Sequence, residues 1–430
     1  MKEEPWRARR RLGDMSAIIE DVAARKIINS RGDPTIEVDV ITIDGFGSAS
    51  APSGASTGKA EATPFPDGGV EEAIRKVEDL ITPEIIGLYA DEQEEIDMLL
   101  RELDGTKNFQ NIGGNTAYAV SLAVADAAAS SYNLPLYQYL GGSLASDLPY
   151  PLGNVLGGGK HASGKATDIQ EFLVLPVGAP SFLAAVEANA LVHEKLKSLL
   201  RNVDPTFTGG KGDEGGWAPN VSNVQALEAV SDTCKAVSEE LGFECRPGLD
   251  IAASSLWEPK KKSYVYARDD LSRGAGEQID YVLELIEKYK LVYVEDPVHE
   301  DDFEGFKELT RKSRGCLICG DDLFVTSAKR LSKGIKMGAG NSIIIKMNQV
   351  GTLTETWDAT RLAQENGYVP VVSHRSGETA ATHIAHLAVA FKAPMIKTGV
   401  VGGERIAKLN ELIRIEEILG DKARMAKPKM

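Results

Sequence analysis

The chain has 430 residues, 43 % of them hydrophobic, with a formal net charge of −15. That length buries a large core and suits one small domain plus an α/β barrel, which alone often runs to about 250 residues. The acidic balance excludes nucleic acid as a default partner, because phosphate binding needs clustered Lys and Arg, and no apolar run approaches the roughly 18 residues of a membrane span.

Residues 1–15, with Arg7, Arg9, Arg10 and Arg11, lack the apolar stretch of a signal peptide. They read as a disordered tail, with Met15 as an alternative start and the cytoplasm as the expected location. RKIINS, TIEVDVITI and FGSASA then read as antiparallel strands, with turns at Arg31–Pro34 and Asp44-Gly45. EEAIRKVEDLI, DEQEEIDMLLREL and the Ala-rich NTAYAVSLAVADAAASSY carry apolar residues at helical spacing. Strands followed by helices predict an α+β domain over 16–142. Residues 141–151 read as a linker, and 143–430 as a catalytic domain.

Beyond the linker, short apolar runs end in polar residues and are followed by helical stretches. They place Asp250, Glu295, Asp321, Lys346, His374 and Lys397 at steps of 45, 26, 25, 28 and 23 residues. A step near 25 fits one βα unit, and barrel enzymes carry their chemistry at the C-terminal ends of such strands. Any one of these residues alone reads as a solvated strand end. Six in succession predict a convergent site.

Asp250, Glu295 and Asp321 are hard oxygen donors, suited to Mg²⁺. Lys346, in the apolar run SIIIKMN, is expected to have its pKa lowered by burial and metal charge and to act as a base. His374-Arg375-Ser376-Gly377 suits a phosphate, with Lys397 as a further point charge. Glu214, between glycines in Gly212–Gly216, reads as a general acid or as a plain turn. Gly157–Gly164 and Pro52–Gly58 read as mobile loops over a ligand.

Three motifs point elsewhere and are set aside. Gly210–Gly215 matches a dinucleotide fingerprint, but Trp217-Ala-Pro219 follows rather than a helix. Gly54–Lys59 is one residue short of a P-loop. Cys316-Leu-Ile-Cys319 has redox or zinc spacing, but Cys234 and Cys245 do not complete a site, so it reads as a buried strand.

Together SGASTG, GGKHASGKATDIQEF, GDEGGWAP, VEDP, GDDLFVT, IIIKMNQVGTLTET, SHRSGET and IKTG resemble the enolase family, from Ile27 to Ile418. The GGKHASGKATDIQEF form is most similar to archaeal members. The resemblance implies an eight-stranded enolase-type α/β barrel with atypical first strands and an N-terminal α+β cap. It implies reversible dehydration of 2-phosphoglycerate to phosphoenolpyruvate in glycolysis and gluconeogenesis. Lys346 would be the base, a known pairing with Mg²⁺ in that superfamily, and Glu214 the acid. Asp250, Glu295 and Asp321 would hold one Mg²⁺, and Ser56 a second that arrives with substrate. His161, Gln170, Glu171, Glu295, Asp321, Ser373, His374, Arg375, Ser376 and Lys397 would bind substrate. Glu37 and Arg414 would pair across a homodimer, with higher assemblies also open.

Departures from the family pattern lie at Thr63–Pro66, at Ala380-Ala381, at His386 and at Val400–Gly403. The competing readings are another carboxylate-triad barrel enzyme, such as an acid-sugar dehydratase, and an inactive binding paralogue. The SGAST and SHRSG motifs weigh against the first. Retention of Lys346, Glu214 and the three acids weighs against the second.

Overall fold

A computed structural model of the chain describes residues 16–55, 58–162 and 166–428. Strands Ile19–Ile28, Pro34–Thr42 and Phe46–Ser50 form an antiparallel sheet in sequence order, as the alternation predicts. Ile36, Val38 and Val40 fall on one face of the middle strand and are fully buried. Helix Gly114–Ser131 packs against this sheet. Its Ala-rich sequence is buried almost all round, so it is a core helix and not an amphipathic surface one.

The stretch EEAIRKVEDLI is helical, as predicted, but not α throughout. Helix Gly69–Lys76 passes through a π-turn, Val77–Ile81, into Thr82–Ile85. Pro83, just past the predicted stretch, has no N–H to give to the preceding turn, where the helix widens. The expected linker is also shorter than predicted. Asp147–Leu148 pairs with Arg424–Met425, and the buried strand Tyr150–Gly157 begins inside the stretch. A chain entering a core must pair its backbone polar groups at once.

Eight strands close a barrel. In order around the ring they are Tyr293–Glu295, Leu317–Gly320, Ser342–Ile345, Val369–Ser373, Met395–Gly399, Tyr150–Gly157, Glu171–Leu175 and Arg246–Asp250. Seven run in one direction. Glu171–Leu175 is antiparallel to both neighbours, which is the atypical start. The long step between Asp250 and Glu295 holds a small sheet, Trp257–Glu258, Ser263–Tyr266 and Leu271–Arg273, ahead of helix Ala275–Tyr289.

Successive side chains of a strand point to opposite faces. Leu173, Tyr293, Cys319, Ile344, Val371 and Met395 belong to one buried cluster, the barrel filling. Their neighbours Phe172, Val294, Ile318, Ile343, Val372 and Ile396 belong to another, shared with the surrounding helices. Cys319 is thus a small apolar filler. All four cysteines are free and buried, and burial pushes the Cys245 thiol up to about 11. Among the described residues, no helix is long and apolar enough to cross a membrane.

Gly47 marks the tightest contact of the cap. A Cβ there would lie 2.2 Å from Ala123 O and Ala127 N, both backbone atoms of the core helix. Gly47→Ala is expected to destabilise the protein by about 3 kcal/mol, since neither atom can move aside. A urea titration of the variant against the parent measures this; an unchanged midpoint contradicts the packing.

Candidate active site

The inward phase of each barrel strand ends in a polar residue. Tyr293 is followed two positions on by Glu295, Cys319 by Asp321, Ile344 by Lys346, Val371 by Ser373 and Met395 by Lys397. The reversed strand does the same from its other end, where Glu171 precedes Leu173 and pairs in register with Asp250. Apolar residues fill the barrel, and one polar layer caps the filling. Glu171 shares this rim only because its strand runs backwards.

A cavity of about 40 Å³ lies over that layer. It is lined by Lys346, Glu214, His161, Gln170, Glu171, Asp250, Asp321, Ser373, His374, Arg375, Ser376 and Lys397, all predicted site residues. Glu295 stands behind Lys397 and is fully buried. Ser56 lies outside the described residues.

The buried charges are paired. Lys397 Nζ lies 2.8 Å from Glu295 Oε2, 3.0 Å from Asp250 Oδ2 and 3.3 Å from Glu171 Oε1. Burial lowers its pKa, but these acids outweigh burial and hold it well above the usual lysine range. Burial and Asp250 push Glu295 up to about 8. Lys346 Nζ donates to Asp321, whose other oxygen accepts from Gln349 Nε2 at 2.8 Å.

Burial does pull the pKa of Lys346 down, but Asp321 outweighs it and the net shift is upward. Paired with Asp321, Lys346 is an ammonium and not a free base.

Glu214 sits in a loop that glycine makes possible. Gly215 has φ 82°, and a Cβ on Gly399 would meet Glu214 O at 2.1 Å. Asn154 Nδ2 donates to Glu214 Oε2 at 3.1 Å, and His374 Nε2 faces the same oxygen at 3.2 Å. His161 Nδ1 stands 3.5 Å from Glu171 Oε1 and 3.7 Å from Glu214 Oε1. Burial pushes Glu171 well up, reinforced by Glu214. Burial also raises Glu214, but His374 and His161 outweigh it and draw Glu214 well down. Burial drops His374 to about 4. Burial thus favours the neutral imidazole of His374 and the protonated form of Glu171, while the two histidines favour the carboxylate form of Glu214.

The cap closes the site over Arg375. Both terminal guanidinium nitrogens lie 3.1 Å from Glu61 Oε2, and one donates to Asn348 Oδ1 at 2.8 Å. Ser53 and Gly377 exchange backbone hydrogen bonds of 2.7 and 2.8 Å. Glu61 was missed from the sequence, although it lies three residues beyond the recognised SGASTG loop. Arg405 and Lys408 were also missed. Both are buried, in phase with Leu409, Leu412 and Ile415 on helix Gly403–Leu419. Two cations on the apolar stripe of a helix were the available signal.

The donor chemistry fits a hard divalent cation. Asp250, Glu295 and Asp321 reach one rim, and Glu295 Oε1 is buried with no hydrogen-bond partner among the described residues. As the side chains stand, these three do not form the tightest groups. Among the described residues, ligand atoms within 4.8 Å of one another belong to Asp296, Asp321 and Asp322, and to His161, Glu171 and Glu214. The first group draws together because the backbone N–H groups of Asp321 and Asp322 both donate to Asp296. Within the chain Glu37 meets Arg25 and Arg414 meets Glu411.

A closed barrel with one reversed strand, a polar rim of acids and lysines, and a cap clamped over an arginine define a barrel enzyme with a capped, charge-paired active site. Comparison with known proteins makes the class specific. Residues 19–140 match the family model "Enolase, N-terminal domain", and residues 145–430 match "Enolase, C-terminal TIM barrel domain". Relatives named enolase include that of Methanosphaera stadtmanae, 61 % identical over 406 residues, which covers 94 % of this chain and 98 % of the relative. That of Methanothermobacter thermautotrophicus is 59 % identical over 404 residues, covering 94 % and 97 %. That of Archaeoglobus fulgidus is 52 % identical over 408 residues, covering 95 % and 99 %. The chain belongs to the enolase family and resembles its archaeal members. Its activity is that of a phosphopyruvate hydratase, a hydro-lyase of glycolysis that acts on a small molecule.

The Lys346–Asp321 contact gives a pH test. Asp321→Asn removes the carboxylate that contributes most to holding the ammonium, so burial and the neighbouring Arg375 and Lys397 count for more. The titration midpoint of Lys346, followed by ¹³C NMR at Cε, should move to lower pH in the variant. A midpoint that stays or rises contradicts the assigned cause.

Proposed function

We propose that Lys346 removes the C2 proton of 2-phosphoglycerate and that Glu214 protonates the departing C3 hydroxyl. The observation that carries this reading is that both line one cavity from opposing walls. Glu214 stands in one group with Glu171, whose strand lies four places from the strand before Lys346 in the ring of eight. Proton and hydroxyl then leave opposite faces of the substrate. The C2–H electrons form the C2=C3 bond, and the C3–O bond breaks to release water.

Asp250, Glu295 and Asp321 would hold one Mg²⁺, and Ser56 a second that arrives with substrate. When bound, Mg²⁺ offsets the negative charge that builds on the substrate carboxylate. A cation held by Asp321 would weaken that carboxylate's hold on Lys346 and place positive charge beside it, both of which would favour the neutral amine that acts as base. Lys397 meets the carboxylate. Arg375 and Ser376 take the phosphate, supported by the buried Ser376 Oγ, which has no hydrogen-bond partner among the described residues. His161, Gln170, Ser373 and His374 complete the walls. Glu171 lines the same wall, beside His161 and Glu214.

The same reading places the enzyme in the cytoplasm as a homodimer or larger homo-oligomer. Residues 16–142 serve as the cap and 143–430 as the catalytic domain.

Purified protein with 2-phosphoglycerate and Mg²⁺ should form phosphoenolpyruvate, followed by its ultraviolet absorbance, and EDTA should stop it. Lys346→Ala should lose turnover by about 10³-fold and lose solvent exchange of the C2 proton. Glu214→Gln should lose turnover by about 10²- to 10⁴-fold yet retain that exchange. Normal exchange in Lys346→Ala would sink the base assignment, and normal turnover in Glu214→Gln would sink the acid.

A further inference from the structure

One fully buried side chain touches both halves of the proposed acid machinery without reaching the cavity. Arg405 is 0 % exposed. Its NH1 lies 2.9 Å from His374 Nδ1 and donates to Arg375 O at 2.5 Å. Its NH2 donates to Ser376 O at 2.6 Å and to Asp213 O at 3.2 Å. One planar group thus ties the loop at 374–376 to the residue before Glu214.

The chemistry of guanidinium makes this contact directional. Arginine has five N–H donors, no acceptor, and does not lose its proton. The imidazole nitrogen facing NH1 must therefore accept. A neutral ring then carries its single proton on Nε2, the atom 3.2 Å from Glu214 Oε2. A neighbouring fixed cation also opposes a second proton on that ring.

The backbone is shaped to admit Arg405. A Cβ on Gly399 would lie 3.1 Å from Arg405 Cγ. Gly402 turns at φ 110° immediately before the helix that carries it.

We propose that Arg405 is a positioning residue for the dehydration step: it fixes His374 as the Nε2–H tautomer and holds the Glu214 and 374–376 loops in register. The proposal rests on the reading of Glu214 as the acid that acts on the leaving hydroxyl. Lysine cannot replace Arg405, because a single ammonium cannot span an imidazole and three carbonyls in one plane.

The test separates the two half-reactions and reads the tautomer directly. The chain has six histidines, so ¹⁵N-histidine labelling with His374→Gln for assignment isolates the ring of His374. In the wild-type protein its shifts should report a neutral ring protonated at Nε2. Arg405→Lys should give mixed-tautomer shifts and cut turnover on the order of 10²-fold, the cost of a misplaced catalytic group. Exchange of the C2 proton, which depends on Lys346, should stay close to the wild-type rate.

Wild-type His374 protonated at Nδ1 overturns the proposal without any variant. So does Arg405→Lys with wild-type turnover, and so does an equal fall in exchange and turnover, which general damage would produce. Normal turnover in Glu214→Gln sinks the acid assignment instead, and the wild-type tautomer spectrum still stands or falls by itself.

Discussion

The structure depends on the rule that a buried charge needs a partner. Taking one ion out of water costs several kcal/mol, and leaving it unpaired is worse. The barrel rim gathers acids and cations with almost no exposure, and each cation has its acid. Lys397 sits among Glu171, Asp250 and Glu295; Lys346 meets Asp321; Arg375 meets Glu61; Lys408 meets Glu378 at 2.9 Å. Remove one member and its partner is left alone in a low-dielectric site. The constellation is therefore held as a unit, which preorganised electrostatic catalysis requires.

That pairing also explains how the two parts of the chain work together. The phosphate-type loop belongs to the barrel, but the cap supplies its counter-ion Glu61 and the backbone bridge at Ser53. Asn348, two residues past Lys346, donates to Pro52 O at 3.1 Å as well as accepting from Arg375. The cap loop, the phosphate loop and the segment after the base are linked by hydrogen bonds. Arg405 and Lys408 brace the same loop from behind. Lys408 Nζ donates to Thr379 O at 2.8 Å, and Glu378 accepts from the Arg375 backbone N–H at 3.0 Å. The loop is clamped on one side by the cap and on the other by a barrel helix.

Much of this was legible along the chain, for identifiable reasons. The cap strands and helices follow from local periodicity, which needs no distant contact. The barrel strands announce themselves as short apolar runs ending in Asp250, Glu295, Asp321, Lys346 and His374. Misreadings arose where a single feature overrode the pattern. The buried run from Tyr150 had no alternation to separate it from a linker. The metal-type acids were correctly sent to one rim, but the tightest groups among the described residues involve Asp296 and Asp322, which no strand spacing marks.

What the sequence by itself determined is the set of strands, their step of one βα unit and the residue types at their ends. It also determined the family, through long ordered motifs that chance does not assemble. Tertiary structure alone decided which charges meet. The reversed direction of Glu171–Leu175 brings Glu171 onto the rim, and direction is not written in a strand's composition. Protonation was decided there too. Burial of Lys346 in its apolar run favours the neutral amine, yet Asp321, 25 residues earlier in the chain, outweighs burial. Glu61 and Arg405 reach the site from 314 and 30 residues away in sequence from Arg375. Electrostatics in a buried site depends on distances of a few ångströms, and only the closed fold sets those.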